Sequence, residues 1–279
     1  MQKLTKKQLE VIEKNCVINT QEKIKYPPVA LSIGTNKIKT IKGEIELPIP
    51  IGTYGNFSFV QAPPKTHKTY FISLLASVYL SGNNKYGCNI KGHRDNRCLI
   101  HIDTEQGKYH AQRVFRRVID MNDGNDVGCY HTFGLRTIGY KERLQFIEYY
   151  LQNKIQKGQV GLVIIDGVAD LCGDVNNIEQ SNEVVQKIME WSQVYNCHII
   201  TVIHTNPGNV DKPTGHLGSF LEKKTETQIQ LSKNSSNKGW ISVACKRSRG
   251  YGFQQFSFKI NDYGLPQVID NLYNPLKQF

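Results

Sequence analysis

The stretch Phe59–Leu75, FVQAPPKTHKTYFISLL, decides the reading of this chain. An apolar strand runs into a turn, then Lys68-Thr69, then a helical pattern. That order is the layout of a phosphate-binding loop, G-x-x-x-x-G-K-[ST], whose backbone N–H groups and helix N-terminus point at an anion. Here Ala62 and His67 stand at the two glycine positions. Pro63 and Pro64 lack an N–H, so the donors must come from Lys65, Thr66, His67, Lys68 and Thr69. A left-handed backbone at Ala62 would cost about 1 kcal/mol. A right-handed one is expected at His67, where it tolerates a side chain. Lys68 would add a point charge, and the Thr69 hydroxyl a ligand for Mg²⁺. Taken alone, the stretch also fits an ordinary helix start.

Working outward, apolar strands alternate with helical patterns. FSFVQ precedes the loop, and CLIHID follows as a second strand before YHAQRVFRRVIDM. KERLQFIEYYLQNKIQ has helical spacing, GLVIID is a third strand, and NIEQSNEVVQKIMEWSQVY leads to a fourth, CHIITVIH. Continuous apolar strands between helices predict a parallel sheet covered on both faces. After Gly218, ETQIQLS, WISVAC and FQQFSFKI alternate with period two and are expected to extend the sheet in antiparallel fashion. At the other end, residues 29–51 hold short strand-like runs. Before them, an amphipathic helix with Thr5 and Gln8 at its start is broken by KYPPVA. This arm has two possible seats, its own domain or a neighbouring subunit.

Ligands in open parallel sheets bind beyond the carboxyl ends of the strands, so the polar residues there form the test set. Asp103 and Glu105 follow the second strand. A carboxylate there can deprotonate a water attacking a γ-phosphate, or simply cap the next helix. Asp166 ends the third strand after an apolar run, where an acid would hold the Mg²⁺ shell. His204 ends the fourth strand and leads into NPGNVDKPTGHLGSF, a polar, glycine-containing loop expected to be mobile. Lys246, Arg247 and Arg249 close a later strand before a Gly-x-Gly turn, either as a solvated turn or as a basic finger reaching a phosphate. Each feature has an ordinary structural explanation. Their placement, with all five at strand ends on the same side of one sheet, favours a nucleotide site.

The chain has 279 residues and a formal net charge of +11, which suggests an anionic partner, nucleic acid being the usual one. Lys85, Lys91, Arg94 and Arg97 crowd one polar loop, and a DNA or subunit surface is plausible for it. Seven cysteines without a C-x-x-C pair argue against a disulfide framework or zinc module and for a reducing compartment. No apolar run approaches a bilayer span and the N-terminus has no apolar signal core, so a soluble intracellular protein with no membrane partner is expected.

Over about residues 50–270 the ordered set resembles the RecA-like ATPase core, and within it the DnaB-like and RepA-like hexameric replicative helicases. CLIHIDTEQGKYHAQR is similar to the recombinase segment that carries the catalytic glutamate, here Glu105, with Arg113 nearest the adenine-contacting arginine. VIHTNPGNVDKPTGHLGSFLEKKTET resembles the helicase region holding a sensor histidine, here His204, and a DNA-binding loop, here about 206–216. CKRSRGYG looks like a Lys-x-Arg finger, with Lys246 in place but the arginines one and three positions on. The departures are the glycine-poor loop, the insertion at residues 82–97 and the absence of a separate helicase N-terminal domain.

The resemblance implies an α/β fold: a twisted, mostly parallel RecA-like sheet flanked by helices, with antiparallel C-terminal strands. Residues 1–28 would form a helical arm and 29–279 the ATPase domain. The implied protein is a ring-forming homo-oligomer, a hexamer, that uses ATP and Mg²⁺ to move on single-stranded DNA. It would serve as a replicative helicase of a phage, plasmid or mobile element, in the cytoplasm of a bacterium or phage-infected host. Lys68 and Thr69 would hold phosphate and metal, Asp166 would complete the metal shell, Glu105 would activate water and His204 would sense the γ-phosphate. Lys246 with Arg247 or Arg249 would act across the subunit interface. Two alternatives stand beside it: a filament-forming recombination ATPase, and a DNA-binding module whose nucleotide site has decayed.

Overall fold

A computed structural model of the protein describes residues 3–41, 43–124, 128–156 and 158–269. Of the two expected segments, residues 1–2 and 270–279 lie outside the described residues. The chain opens with α1 (Lys6–Cys16), β1 (Val29–Thr40), β2 (Gly43–Thr53), β3 (Phe57–Ala62) and α2 (Lys68–Ser81). It continues through β4 (Ile90–Gly92), β5 (Cys98–Asp103), α3 (Lys108–Asp120), β6 (Tyr130–Gly134), α4 (Tyr140–Asn153) and β7 (Val160–Asp166). Then come α5 (Ile178–Val194), β8 (His198–Asn206), β9 (Asn209–Pro213), α6 (Gly215–Lys224) and β10 (Thr227–Lys233). β11 (Trp240–Ser248), β12 (Phe256–Ile260) and β13 (Pro266–Val268) close the described chain.

The main sheet has the order β13-β12-β11-β10-β3-β8-β7-β5-β6, with β9 folded back on β8. From β6 to β10 every pairing is parallel, and from β10 to β13 every pairing is antiparallel. β3 and β7 are buried along their whole length, as continuous apolar runs require when both faces are covered. On one face α2 packs against Val60, Leu162 and Val202. On the other, α4, α5 and α6 pack against Phe59, Val163 and Ile199. α2 is apolar nearly all round, and eleven of its fourteen residues are buried, which makes it a core helix rather than a surface one. β1, β2 and β4 form a separate antiparallel sheet.

The expected architecture is present, with four differences. β6 is a fifth parallel strand that the hydropathy pattern missed, because YHTFG is an edge strand without an apolar run. β10 joins β3 in parallel, so the antiparallel extension begins one strand later than expected. The loop after His204, expected to be mobile, forms β9 and the start of α6. Finally, β11 runs against β10, with Ser248 opposite Thr227 and Thr227 beside Ser58. Its carboxyl end therefore lies at the amino ends of the parallel strands, so four of the five strand-end features share one side, not five.

The insertion at 82–97 is fastened to the body. The Arg97 guanidinium stacks 4.1 Å over Tyr54 and donates to Asn196 O at 2.8 Å, while Arg94 donates to Cys129 Sγ at 2.6 Å. Cys16, Cys98, Cys129, Cys172, Cys197 and Cys245 form no disulfide. Among the described residues, no helix is long and apolar enough to cross a membrane.

Candidate nucleotide site

β3 delivers the loop to the carboxyl edge of the sheet. Ala62 is fully buried with ordinary strand backbone, so the strain foreseen there does not arise. The expectation at His67 is overturned: its backbone is left-handed, with φ 57 and ψ 33, and Lys65 has φ 60. Histidine is among the side chains that enter this region more readily than most, at a cost of about 1 kcal/mol. These two left-handed residues curl the loop without glycine, and the Thr66 hydroxyl ties it by donating to Pro63 O at 2.7 Å. Among the described residues, no acceptor meets the backbone N–H groups of Lys65, Thr66, His67, Lys68 or Thr69. The same five residues line a cleft of about 510 Å³ together with Glu105, Arg113 and His204.

Lys68, His204 and Glu105 form a row. Lys68 Nζ donates to Pro63 O at 3.4 Å and lies 3.1 Å from His204 Nδ1. His204 Nε2 lies 3.7 Å from Glu105 Oε1. An ammonium only donates, so Nδ1 accepts from Lys68 and the ring proton sits on Nε2, facing the carboxylate. Burial lowers the Lys68 pKa, against the pull of Glu105 and Asp166. His204, more than burial, sets the Glu105 pKa and holds it below the usual carboxylate range, with Lys68 and Arg136 adding to the effect. Asp103 shapes this corner: its carboxylate accepts from Glu105 N at 3.0 Å and Gln106 N at 2.7 Å. A smaller chamber of about 120 Å³ adjoins, between Glu105, His204 and Ala169.

Asp166 sits behind Lys68. Burial, then repulsion from Asp103 and Glu105, pushes its pKa up to about 7, with Thr69 and Lys68 opposing. Its Oδ2 is buried without a partner. An orphaned carboxylate oxygen beside a threonine hydroxyl fits a divalent cation. Among the described residues no group of three or more His, Cys, Asp or Glu side chains is placed to hold a metal ion, so such an ion would complete its shell from nucleotide and water oxygens. Gly167 makes the turn after Asp166 with φ 104, and a Cβ there would strike Thr104 Oγ1.

Sequence reasoning missed part of the cleft. Arg117 stacks 3.7 Å over the Tyr70 ring and donates to Ser73 Oγ at 3.2 Å. With Arg113 it forms a cationic wall beside His110. The i, i+4 spacing of Arg113 and Arg117 on α3 was the available signal. Lys246, Arg247 and Arg249 are not brought into the cleft. Lys246 Nζ pairs with Asp211 Oδ1 at 2.8 Å, Arg247 lies 4.0 Å from Glu222, and Arg249 donates to Lys224 O at 2.7 Å.

A phosphate-type loop after the central strand of a parallel sheet, with acids at the ends of the two strands beyond β8, defines an α/β nucleotide-loop domain. The sequence profile of the AAA domain family matches residues 49–209, more than half of the chain, and the chain belongs to that family. No curated protein matches it in sequence. Among solved structures it is similar to the crystal structure of the RadB recombinase, with a TM-score of 0.54 and 15% identity. That match covers 78% of this chain and 92% of the other, and the likeness is one of fold, which is RecA-like.

Proposed function

We propose that the protein is an ATP-hydrolysing motor that assembles into a ring, a hexamer, around single-stranded DNA and serves as a DnaB- or RepA-type replicative helicase. The observation that carries the nucleotide reading is the set of open amides from Lys65 to Thr69, on residues that line the same cleft as the Lys68–His204–Glu105 row. A triphosphate laid on these amides draws Lys68 away from Pro63 O and His204. Glu105, ionised in the resting protein, takes the proton of a water attacking the γ-phosphate. His204 is freed to sense that phosphate, and its carbonyl, which accepts from Thr214 N at 3.0 Å and Thr214 Oγ1 at 2.9 Å, ties it to the base of α6. Thr69 and Asp166 would hold Mg²⁺, which when bound neutralises phosphate charge. Arg113 would lie against the base.

The position of Lys246, Arg247 and Arg249 outside their own cleft supports a role toward a neighbouring subunit. Of the two arginines, Arg247 has the less committed guanidinium. The exposed arm, with Leu4, Leu9, Val11 and Ile12 all about half exposed, supports the division at residue 28 and an arm that seats on a second copy. The filament-forming recombination ATPase is the second reading, favoured by the fold shared with a recombinase.

Hydrolysis measured with and without single-stranded DNA tests the proposal. Lys68→Ala is expected to abolish turnover, and Glu105→Gln to bind ATP while turning over at least roughly a hundredfold more slowly. Normal hydrolysis by Glu105→Gln removes the assigned base. Rings in electron micrographs support the helicase reading and filaments the alternative.

A further inference from the structure

The hairpin of β8 and β9 is held to the body by polar contacts. Three side chains from three neighbouring strands reach its backbone. Gln61 Nε2, at the end of β3, donates to Asp211 O at 3.2 Å. Gln230, in register with Gln61 on β10, donates through Nε2 to Val210 O at 3.2 Å. Lys246 Nζ, on β11, reaches Asp211 Oδ1 at 2.8 Å and Asp211 O at 3.4 Å. Behind this row Gln228 Nε2 donates to Gln61 Oε1 at 3.0 Å and to Glu222 Oε1 at 2.9 Å. Gln61 is fully buried on the same face as Phe57 and Phe59, where an apolar side chain would pack. A buried amide is tolerated only with partners, and both ends of this one are engaged.

Two consequences follow from this arrangement. Residues 207–212 are exposed, so hydrogen bonds rather than apolar burial fix the hairpin, and segments held this way open at low free energy. Gln61 also immediately precedes Ala62, where the phosphate loop begins. We infer that Gln61 and Gln230 are positioning residues. They seat the hairpin on the strand that leads into the phosphate loop, and thereby set how turnover responds to nucleic acid. The second half of this statement rests on the motor reading above; the seating does not.

The test uses Gln61→Leu and Gln230→Met in the full chain. Gln230 is only half-buried, so its replacement remains informative if Gln61→Leu does not fold. Hydrogen exchange in peptides covering residues 205–214 is expected to quicken roughly fivefold in both variants, with β3 and α2 unchanged. Hairpin exchange equal to the parent's overturns the inference. In parallel, ATP turnover without DNA should stay within about twofold of the parent, while stimulation by single-stranded DNA is lost. Faster exchange with stimulation intact overturns the positioning role. A parent that shows no stimulation defeats the motor reading instead, and exchange alone then decides the seating.

Discussion

His67 occupies the last glycine position of the loop with a left-handed backbone, and its ring meets Tyr70 edge-on at 5.4 Å. A β-branched side chain is far less tolerant of that conformation than histidine or glycine. His67→Val is expected to lower stability by about 1–2 kcal/mol in urea melts, and His67→Gly to change it by less than about 1 kcal/mol. Equal stability of the valine variant and the parent contradicts the backbone argument. Asp166 offers a test by pH. Its carboxyl has a folded pKa of about 7 against an ordinary 3.8, so the folded state holds the proton that the unfolded chain releases. Its contribution is therefore fully present below pH 3.8 and is lost as pH rises through about 7. Without Mg²⁺, the parent should lose about 1–3 kcal/mol more than Asp166→Asn between pH 5 and 8. Parallel melting curves for the two proteins count against a buried, unpartnered carboxylate.

At this scale the sequence was informative where chemistry follows from position along a strand. Lys68-Thr69 after FSFVQ, and Asp166 after four apolar residues, follow from the alternation of strands and helices alone. The handedness of His67 was not legible, because one residue before a helix carries no periodicity. Arg117 was legible only as the i, i+4 neighbour of Arg113, since its contact depends on Tyr70 across the α2–α3 packing.

Among the elements, α1 tests self-association. It has a complete capping box, yet none of its residues is buried. An isolated helix this short is marginal in water, and the proposed seat on a second copy would stabilise it. Removing residues 1–26 is expected to shift the protein to monomers in sedimentation while leaving the ATPase domain folded. Assembly that survives the deletion removes the arm from the interface. α1 and α2 were read correctly because caps and apolar spacing are local. β6 was missed because an edge strand buries little and YHTFG looks like a loop. The direction of β10 was beyond local reading, since period-two alternation is the same in parallel and antiparallel strands, and it decides to which end of the sheet antiparallel β11 runs. The parallel seat of β10 turns the end of β11 toward the amino ends of the parallel strands, out of the cleft, with Lys246 against the β8–β9 hairpin.

For the whole molecule, the RecA-like sheet gathers the loop, Glu105, Asp166 and His204 at one edge, although no two of the four share a strand and its connection. This edge and the chain's net charge of +11 suit the two polyanions of the proposed function, a nucleotide and a nucleic acid. In the proposed function a triphosphate lies on the amides of Lys65 to Thr69 despite the missing glycines. A crystal structure with Mg²⁺ and a nonhydrolysable ATP analogue decides this. Phosphate oxygens are expected against those amides, with Lys68 Nζ withdrawn from Pro63 O and His204 Nδ1, and an ion beside Thr69 and Asp166. An analogue bound elsewhere, or a cleft still bridged by Lys68 and His204 at saturating analogue, would contradict it.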